Sequence, residues 1–327
     1  MSNLVVETVP IDGQQVIEDD PFPLAMCCKS PATLNEATAW ITENLETHNE
    51  KLERSGAVLF RGFPLQTADD FDAFIGAFGY PNFPYADSLS NAVRVNRTER
   101  VFTANEAPAS VTICLHHEMA QTPIFPSKLF FFCEQPATVG GATPLCRSDA
   151  LLRKLEDKFP SFVANCRAKG LRYTNVMPRA DDPNSGMGRS WQSTLSVSDR
   201  SAAESRLQEL GYSFEWQDDD CLKATTPVLP AIRSTGGREA FFNQLIAAFH
   251  GWKDHRNDPS KAVTFADGEP LDTTAMTAAT ELADELAFDI PWQAGDVALI
   301  DNRLVMHGRR TFQGTRKVLA SLIASDG

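Results

Sequence analysis

Apolar residues recur at helical spacing near the start of the chain. After the Ser-Pro turn at residues 30–31, four of them follow at intervals of three or four: Leu34, Ala37, Ile41 and Leu45. This spacing predicts a helix that runs up to Gly56, with His48 on its polar, solvated face. Residues 57–64 are a short apolar run closed by Gly and Pro, which predicts a strand.

Helical and strand patterns remain separate along the rest of the chain. Thr67 is expected to cap a helix over residues 69–78. The patterns elsewhere predict three more helices, over residues 148–159, 201–210 and 273–286. Short β-rich runs fill residues 93–144, and strands return at residues 297–300 and 318–323.

The predicted strands therefore fall into two blocks, with helices before and between them. Strands and helices do not alternate and no GxGxxG motif is present, which argues against a doubly wound nucleotide-binding fold. We expect an α+β fold in a single domain over residues 1–327. An N-terminal extension over about residues 1–25 and a long helical and loop insertion over about residues 150–290 are expected within it.

The amino-acid composition restricts the kinds of molecule that this protein can be expected to bind. The 327 residues include 30 Lys and Arg against 43 Asp and Glu, a formal net charge of −13. A chain this acidic lacks the positive electrostatic field that binding to nucleic acid or an anionic membrane surface requires. An anionic ligand therefore has to be bound by a few local Arg or Lys residues. Seven cysteines without CxxC spacing indicate reduced thiols in a cytoplasmic protein. No apolar run approaches the roughly 18 residues of a membrane helix.

His116 and Glu118 have the spacing of two metal ligands on one strand. Side chains two residues apart on a strand point to the same face, so both could reach one ion. A distant histidine would complete a 2-His-1-carboxylate triad, which leaves coordination positions open and suits Fe(II) and oxygen chemistry. The pair alone is a weak signal, because this composition gives about 0.8 His-x-Asp/Glu pairs by chance. A solvated strand edge is the alternative.

His307 is the distant histidine whose context fits best. It follows a buried strand and a polar turn within residues 296–309, and Arg316 opens the final strand nine residues later. A guanidinium there could pair with the distal carboxylate of a bidentate keto acid, since its planar fork matches a carboxylate. Arg309 and Arg310 are rivals for this role, and a surface position is the alternative for Arg316.

Seven segments match one enzyme family in order and spacing. They are residues 55–63, 101–106, 117–121, 125–131, 140–144, 257–265 and 291–322. In these segments the chain resembles the taurine dioxygenase superfamily of Fe(II)/2-oxoglutarate-dependent oxygenases, in its clavaminate synthase-like branch. The motifs are specific for the family but not for a substrate.

The resemblance implies a double-stranded β-helix, a cupin-like jelly roll, flanked by helices. It also implies that His116, Glu118 and His307 ligate iron. Iron halogenases of this superfamily have Gly or Ala in place of the acidic ligand, so Glu118 argues against halogenation. Ala320 stands where taurine dioxygenases hold the sulfonate with a second Arg, so taurine is not the expected substrate.

The resemblance further implies that Thr143 and Arg316 bind 2-oxoglutarate, although the Arg assignment could shift to the neighbouring Lys317. Five other residues are candidate substrate contacts: Asn105, Glu106, Arg189, Trp191 and Asn243. Glu106 could pair with an ammonium group and Arg189 with a carboxylate. The alternatives are a turn residue for Glu106 and a satisfied core amide for Asn243.

The predicted function is an Fe(II)- and 2-oxoglutarate-dependent dioxygenase that uses O₂ and releases succinate and CO₂. Hydroxylation of a small polar metabolite, such as an amino acid or a related carboxylate, is expected. Desaturation, ring closure or epoxidation would need only a different outcome at the same site. Two other classes stay open: a zinc-dependent hydrolase or isomerase on a cupin-like barrel, and a non-catalytic small-ligand binder on a degenerate oxygenase fold.

Overall fold

The structure is a computed structural model that describes residues 4–90, 92–104, 107–182, 184–185, 187–252 and 254–324. The helices within these ranges are α1 (Leu34–Glu43), α2 (Leu45–Ser55), α3 (Ala68–Gly76), α4 (Ser148–Lys158), α5 (Pro160–Lys169), α6 (Trp191–Leu195), α7 (Arg200–Glu209), α8 (Leu245–Gly251) and α9 (Thr273–Glu285).

The strands of the described residues follow in chain order. They are β1 (Val6–Thr8), β2 (Gln15–Ile17), β3 (Asp20–Phe22), β4 (Leu24–Cys28), β5 (Ala57–Arg61), β6 (Phe102–Thr103), β7 (Ile113–His116), β8 (Lys128–Gln135), β9 (Val139–Gly140), β10 (Thr143–Arg147), β11 (Leu171–Met177), β12 (Ser213–Trp216), β13 (Leu222–Thr225), β14 (Arg233–Thr235), β15 (Arg238–Ala240), β16 (Val263–Phe265), β17 (Phe288–Ile290), β18 (Val297–Asp301), β19 (Val305–Arg309), β20 (Phe312–Gln313) and β21 (Lys317–Ile323).

Two sheets share the main apolar core. The larger sheet has the strand order β1-β4-β5-β18-β8-β21-β6, and the smaller has the order β17-β10-β19-β7. Phe131 and Ala298 of the larger sheet belong to the same buried cluster as Leu145 and Val305 of the smaller one. Burial of both inner faces against each other is what stabilises such a pair of sheets. The predicted combination of helices and sheets is confirmed.

A second apolar cluster lies in the stretch between β10 and β17. This stretch holds α4 to α9 and a third sheet of order β12-β13-β11-β16. Phe162, Phe241 and Met276 are buried in its cluster, which also includes Met306 of β19. The stretch therefore packs against the strand that carries His307. It occupies the position of the predicted insertion, while β1 and β4 at the N-terminus extend the larger sheet.

Two helix ends form as the local sequence predicts. The Thr67 side chain accepts a hydrogen bond from the Asp70 backbone N–H, and the Asp70 carboxylate accepts one from the Thr67 backbone N–H. This reciprocal pair is a capping box, which fixes the start of α3. At Gly56 the backbone is left-handed, with φ of 84°, a conformation that glycine adopts without steric cost and that ends α2.

The single helix predicted up to Gly56 is in fact two helices. Asn44, with φ −114° and ψ 18°, separates α1 from α2 and gives α2 a buried face of its own. The expectation that His48 is solvated is therefore wrong, because its ring lies on that face and is 1% exposed. Three aromatic rings pack against it: Trp40, Phe60 and Phe78.

All seven cysteines are free thiols, and four of them are buried. None of the described helices is both long and apolar enough to cross a membrane.

We expect His48 to make the stability of the fold depend on pH. Burial lowers the pKa of His48 to about 4 from 6.5, and Lys51 adds a smaller effect in the same direction. Between these values the unfolded chain binds a proton that the folded chain does not, so stability falls as the pH falls through this window. Urea unfolding should show the free energy of unfolding, relative to His48→Leu, falling by about 1–3 kcal/mol from pH 7 to pH 4.5. Parallel pH dependences of the two proteins would contradict this.

Candidate metal and cofactor site

Three predicted metal ligands meet although they are far apart in the sequence. His116 ends β7 and lies opposite His307 of β19 in an antiparallel pair, which brings their side chains together on one face. Glu118 Oε2 is 3.5 Å from His307 Nε2 and 4.0 Å from His116 Nε2. One ligand atom of each residue lies within 4.8 Å of the others, so the set could hold one metal ion.

Glu118 lies beyond the end of β7, so strand alternation does not place it. Asn302, in the turn between β18 and β19, does so instead. Its Oδ1 accepts a hydrogen bond from the Glu118 backbone N–H at 2.7 Å, and its Nδ2 donates to the Glu118 carbonyl at 3.0 Å. Asn302 is fully buried, and this two-way clamp ties the His116–Glu118 segment to the turn that precedes His307.

His116 is oriented and neutral. Its Nδ1 lies 2.8 Å from the Cys114 carbonyl oxygen, so a proton on Nδ1 leaves the lone pair of Nε2 directed toward Glu118. Burial, followed by repulsion from His307, lowers the pKa of His116 to about 4. A metal ion binds the neutral imidazole through its one unprotonated nitrogen, and this lowered pKa keeps the His116 ring neutral at pH 7.

Arg94 covers another side of Glu118. Its Nη2 lies 3.1 and 3.3 Å from the two carboxylate oxygens. The guanidinium carbon lies 5.1 Å from the ring centroid of Tyr85 and 5.3 Å from that of Phe102, within the range of cation–π attraction. Burial alone would raise the pKa of Glu118, but Arg94 and the two imidazoles lower it below its usual range. The carboxylate is therefore ionised.

A second polar group lies where β10 begins. Arg316 Nε donates to the Gly141 carbonyl at 2.7 Å, and its Nη2 donates to Thr143 Oγ1 at 3.1 Å. Trp292 Nε1 donates to the same hydroxyl oxygen at 3.0 Å. Burial, followed by repulsion from Arg309, lowers the pKa of Arg316 to about 10, so the guanidinium still carries its charge at neutral pH. No carboxylate of the described residues forms an ion pair with it.

The rival cations are placed differently. Arg310 is paired with two surface carboxylates, and Lys317 lies 3.9 Å from one and is 57% exposed at its side chain. Arg309 is buried and donates to backbone carbonyls within residues 107–111. Only Arg316 of these four cations is in contact with Thr143.

Two cavities meet at the triad. The arginine cavity is lined by Thr143, Arg309 and Arg316 together with Phe131 and His307, and the amide cavity by Gln121 and Gln244 together with Glu118, Met187 and Trp252. Their volumes are about 50 and 130 Å³. Three residues line both: Arg94, Ile113 and His116. The candidate metal ligands thus stand between a cavity rich in cations and a cavity rich in amides.

Two of the predicted substrate contacts, Arg189 and Trp191, do not line either cavity, so the structure does not support that prediction. The Arg189 guanidinium donates to the backbone carbonyls of Ser88 at 2.5 Å and Ser193 at 2.7 Å, so it joins α6 to the loop before β6. Trp191 is buried, and its Nε1 donates to the Asp220 carbonyl at 3.0 Å. Neither residue lines the two cavities, because both side chains are engaged in packing the helical stretch.

The remaining substrate candidates are Asn243, Asn105 and Glu106. Asn243 uses its amide locally, donating to the Ala231 carbonyl and accepting from the Leu245 backbone N–H, both at 3.0 Å. It is a satisfied core residue, the alternative given above, and not a cavity residue. Asn105 and Glu106 lie outside the described residues.

Sequence reasoning missed four residues of the site: Arg94, Gln121, Gln244 and Asn302. Asn302 could have been suspected, since it lies in the polar turn that delivers His307. Gln121 and Gln244 lie beside residues already singled out. Arg94 has no such signal, because it lies in an irregular segment 22 positions before His116 in the sequence.

Comparisons with known proteins place the chain among dioxygenases. The model of the "Taurine catabolism dioxygenase TauD, TfdA family" matches residues 20–322. A clavaminate synthase-like protein of Arabidopsis thaliana is 42% identical over 330 residues, which cover 98% of this chain and 99% of that protein. The dapdiamide synthesis protein DdaC of Enterobacter agglomerans is 30% identical over 313 residues, which cover 90% of each.

Among the solved structures with a similar fold is an asparagine oxygenase in complex with Fe(II), 3-hydroxyasparagine and succinate. It superposes with a TM-score of 0.52 and 15% identity over 89% of this chain and 83% of that one. This comparison supports the fold alone.

We expect the Asn302 clamp to control metal affinity. Asn302→Ala should weaken Mn(II) binding about 10- to 100-fold, because groups that orient metal ligands typically contribute this much. Electron paramagnetic resonance of free Mn(II) measures the affinity.

Asn257→Ala is the matched control. This buried amide bridges the backbone N–H and carbonyl of Val176 and does not contact the triad. Its loss should lower the melting temperature while Mn(II) affinity stays the same. Equal Mn(II) affinity in Asn302→Ala and the wild type would show that the clamp does not position Glu118.

Proposed function

Because this chain belongs to the TauD/TfdA family of Fe(II)/2-oxoglutarate-dependent dioxygenases, we propose that His116, Glu118 and His307 hold its Fe(II). In the same proposal, Arg316 and Thr143 hold the distal carboxylate of 2-oxoglutarate in the arginine cavity. Family membership confirms the predicted enzyme class and its cofactors. The proposal adds the residues, the substrate class and the closure of the two facing sheets into a double-stranded β-helix.

The donor set fits Fe(II). Two imidazoles and one ionised carboxylate are the donors that non-haem Fe(II) oxygenases use, and they leave positions open for other ligands. When bound, Fe(II) and 2-oxoglutarate supply the activation of O₂, coupled to the release of succinate and CO₂. The protein supplies a fixed donor geometry, through Asn302, and a dry wall, through Phe131.

One observation carries the 2-oxoglutarate assignment. Arg316 is a half-buried cation without an acidic partner among the described residues, and it opens into the cavity beside the triad. A buried unpaired charge is costly, so an anion that enters is strongly favoured. Its planar fork suits a carboxylate, and the Thr143 hydroxyl, held by Trp292, adds a hydrogen bond on the same side.

The amide cavity supports a small polar substrate. Gln121 Oε1 is buried and no described residue donates a hydrogen bond to it, so a substrate donor can satisfy it. Gln244 is held by its hydrogen bond to the His117 carbonyl. A hydroxylated amino acid is the ligand of the structurally similar asparagine oxygenase. We therefore propose hydroxylation of an amino acid or related carboxylate by an enzyme of the cytoplasm.

The zinc hydrolase and the non-catalytic binder explain less. Zinc hydrolysis at the same three residues needs no cation at Arg316, and a binder needs no open metal positions. Neither alternative explains why the arginine cavity lies beside the His116, Glu118 and His307 triad.

An anaerobic titration with Fe(II) and 2-oxoglutarate tests the proposal. We expect the weak visible charge-transfer band of the chelate in the wild type and no band in His116→Ala. In Arg316→Ala the 2-oxoglutarate concentration for half-saturation should rise about 30-fold or more, since truncating one partner of a buried charge pair costs several kcal/mol.

Lys317→Ala is the matched control, because this neighbouring cation is exposed and should leave the titration unchanged. An equal loss in Lys317→Ala and Arg316→Ala would contradict the assignment. Tight zinc binding without any band in the wild type would favour the hydrolase.

A further inference from the structure

Of the described residues, Arg94 is the one arginine or lysine that lines both cavities, and the proposed function gives it no task. Its side chain is 7% exposed. Nη2 contacts Glu118, while no described residue accepts a hydrogen bond from Nε. An unused donor on a buried guanidinium is costly unless a ligand satisfies it.

The guanidinium is also held in place before any ligand enters. Tyr85 and Phe102 contact it through their rings, and the Tyr85 hydroxyl is itself anchored by donating to the Ala92 carbonyl. A preorganised Arg loses little conformational entropy when a ligand binds, so its hydrogen bonds translate into affinity.

The charges around the two cavities favour one more anion. Arg309 is engaged with the backbone of residues 107–111 and is left out of the sum. Among the other described residues that line the cavities, Arg94 and Arg316 are cationic and Glu118 is the one carboxylate, so these three groups sum to +1. The charges of Fe(II) and 2-oxoglutarate cancel each other, so the loaded site retains an excess of positive charge.

Loading the metal also frees Arg94. Without metal, the charge of Arg94 is balanced by Glu118. A metal ion shares the Glu118 carboxylate and more than neutralises it, so Arg94 is then a buried cation in need of a counter-ion. The amide cavity is the space that this counter-ion can enter, because the arginine cavity is taken by 2-oxoglutarate in the proposed function.

We propose that Arg94 binds a carboxylate of the substrate in the amide cavity, which makes the substrate an anionic carboxylate and Arg94 a substrate-binding residue. This inference rests on the proposed function, because it assigns the arginine cavity to 2-oxoglutarate.

Propionate and propionamide test the inference, since they have the same shape and differ in charge. The protein is loaded with Mn(II) and saturating 2-oxoglutarate, and the relaxation of the probe protons is followed by NMR. Mn(II) speeds relaxation steeply at short distance, so the signal reports binding beside the metal. We expect saturable enhancement for propionate and none for propionamide in the wild type.

Arg94→Gln should weaken propionate binding on the order of 10- to 100-fold, the usual contribution of a charged hydrogen bond. Arg94→Lys should restore part of it, because the charge returns without the planar fork. Arg310→Gln is the control: it removes a cation that pairs on the surface with Asp284 and Asp289, and it should leave propionate binding unchanged.

The outcomes separate the two proposals. A wild type that fails to bind Mn(II) and 2-oxoglutarate contradicts the proposed function. A loaded wild type that responds to both probes equally, or to neither, contradicts this inference alone. Propionate binding that is equal in Arg94→Gln and the wild type also contradicts it, and it leaves Arg94 as a positioning residue for Glu118.

Discussion

The Glu118 carboxylate is ionised although it is buried, and the surrounding structure is arranged to stabilise that charge. Its side chain is 4% exposed. Arg94 supplies a positive charge, two imidazoles face it, and Asn302 fixes its backbone on both sides. Removing Arg94 leaves a buried charge less compensated, which is among the costlier changes in a folded protein. A metal ion that binds His116, Glu118 and His307 would add its positive charge beside this stabilised carboxylate.

Strand register brings the rest of the site to this carboxylate. β10, β19 and β7 are neighbours in the smaller sheet, so Thr143, His307 and His116 lie on three consecutive strands. The larger sheet contributes Phe131 on β8 and, just before β21, Arg316. Each sheet thus supplies one side of the arginine cavity, while the stretch between β10 and β17 supplies Gln244 and Trp252 to the amide cavity. The residues proposed to hold the cofactors come from the two sheets, and those proposed to face the substrate come partly from the stretch between β10 and β17.

Local signals allowed much of this to be predicted from the sequence. The Thr67 capping box and Gly56 mark helix ends by short-range chemistry, and the His116, Glu118 and His307 set was identified from spacing and family resemblance. The burial of His48 was predicted wrongly because the helix is interrupted at Asn44. After this break a different side of α2 faces the core, and hydrophobic periodicity does not reveal such a break. Arg94 could not be predicted either, since its role comes from long-range packing against Tyr85 and Phe102. Arg189 is the opposite case. Its residue type suggested a substrate contact, but its guanidinium is used by hydrogen bonds to backbone carbonyls that hold α6 against the loop before β6.

The proposed function depends on one metal ion held by His116, Glu118 and His307, with a keto-acid carboxylate on Arg316. A crystal structure with Mn(II) and 2-oxoglutarate, with anomalous data at the manganese edge, tests it most directly. We predict one strong anomalous peak bonded to these three side chains, and a carboxylate on Arg316 and Thr143. A metal bound elsewhere, or a 2-oxoglutarate carboxylate placed away from Arg316, would contradict it.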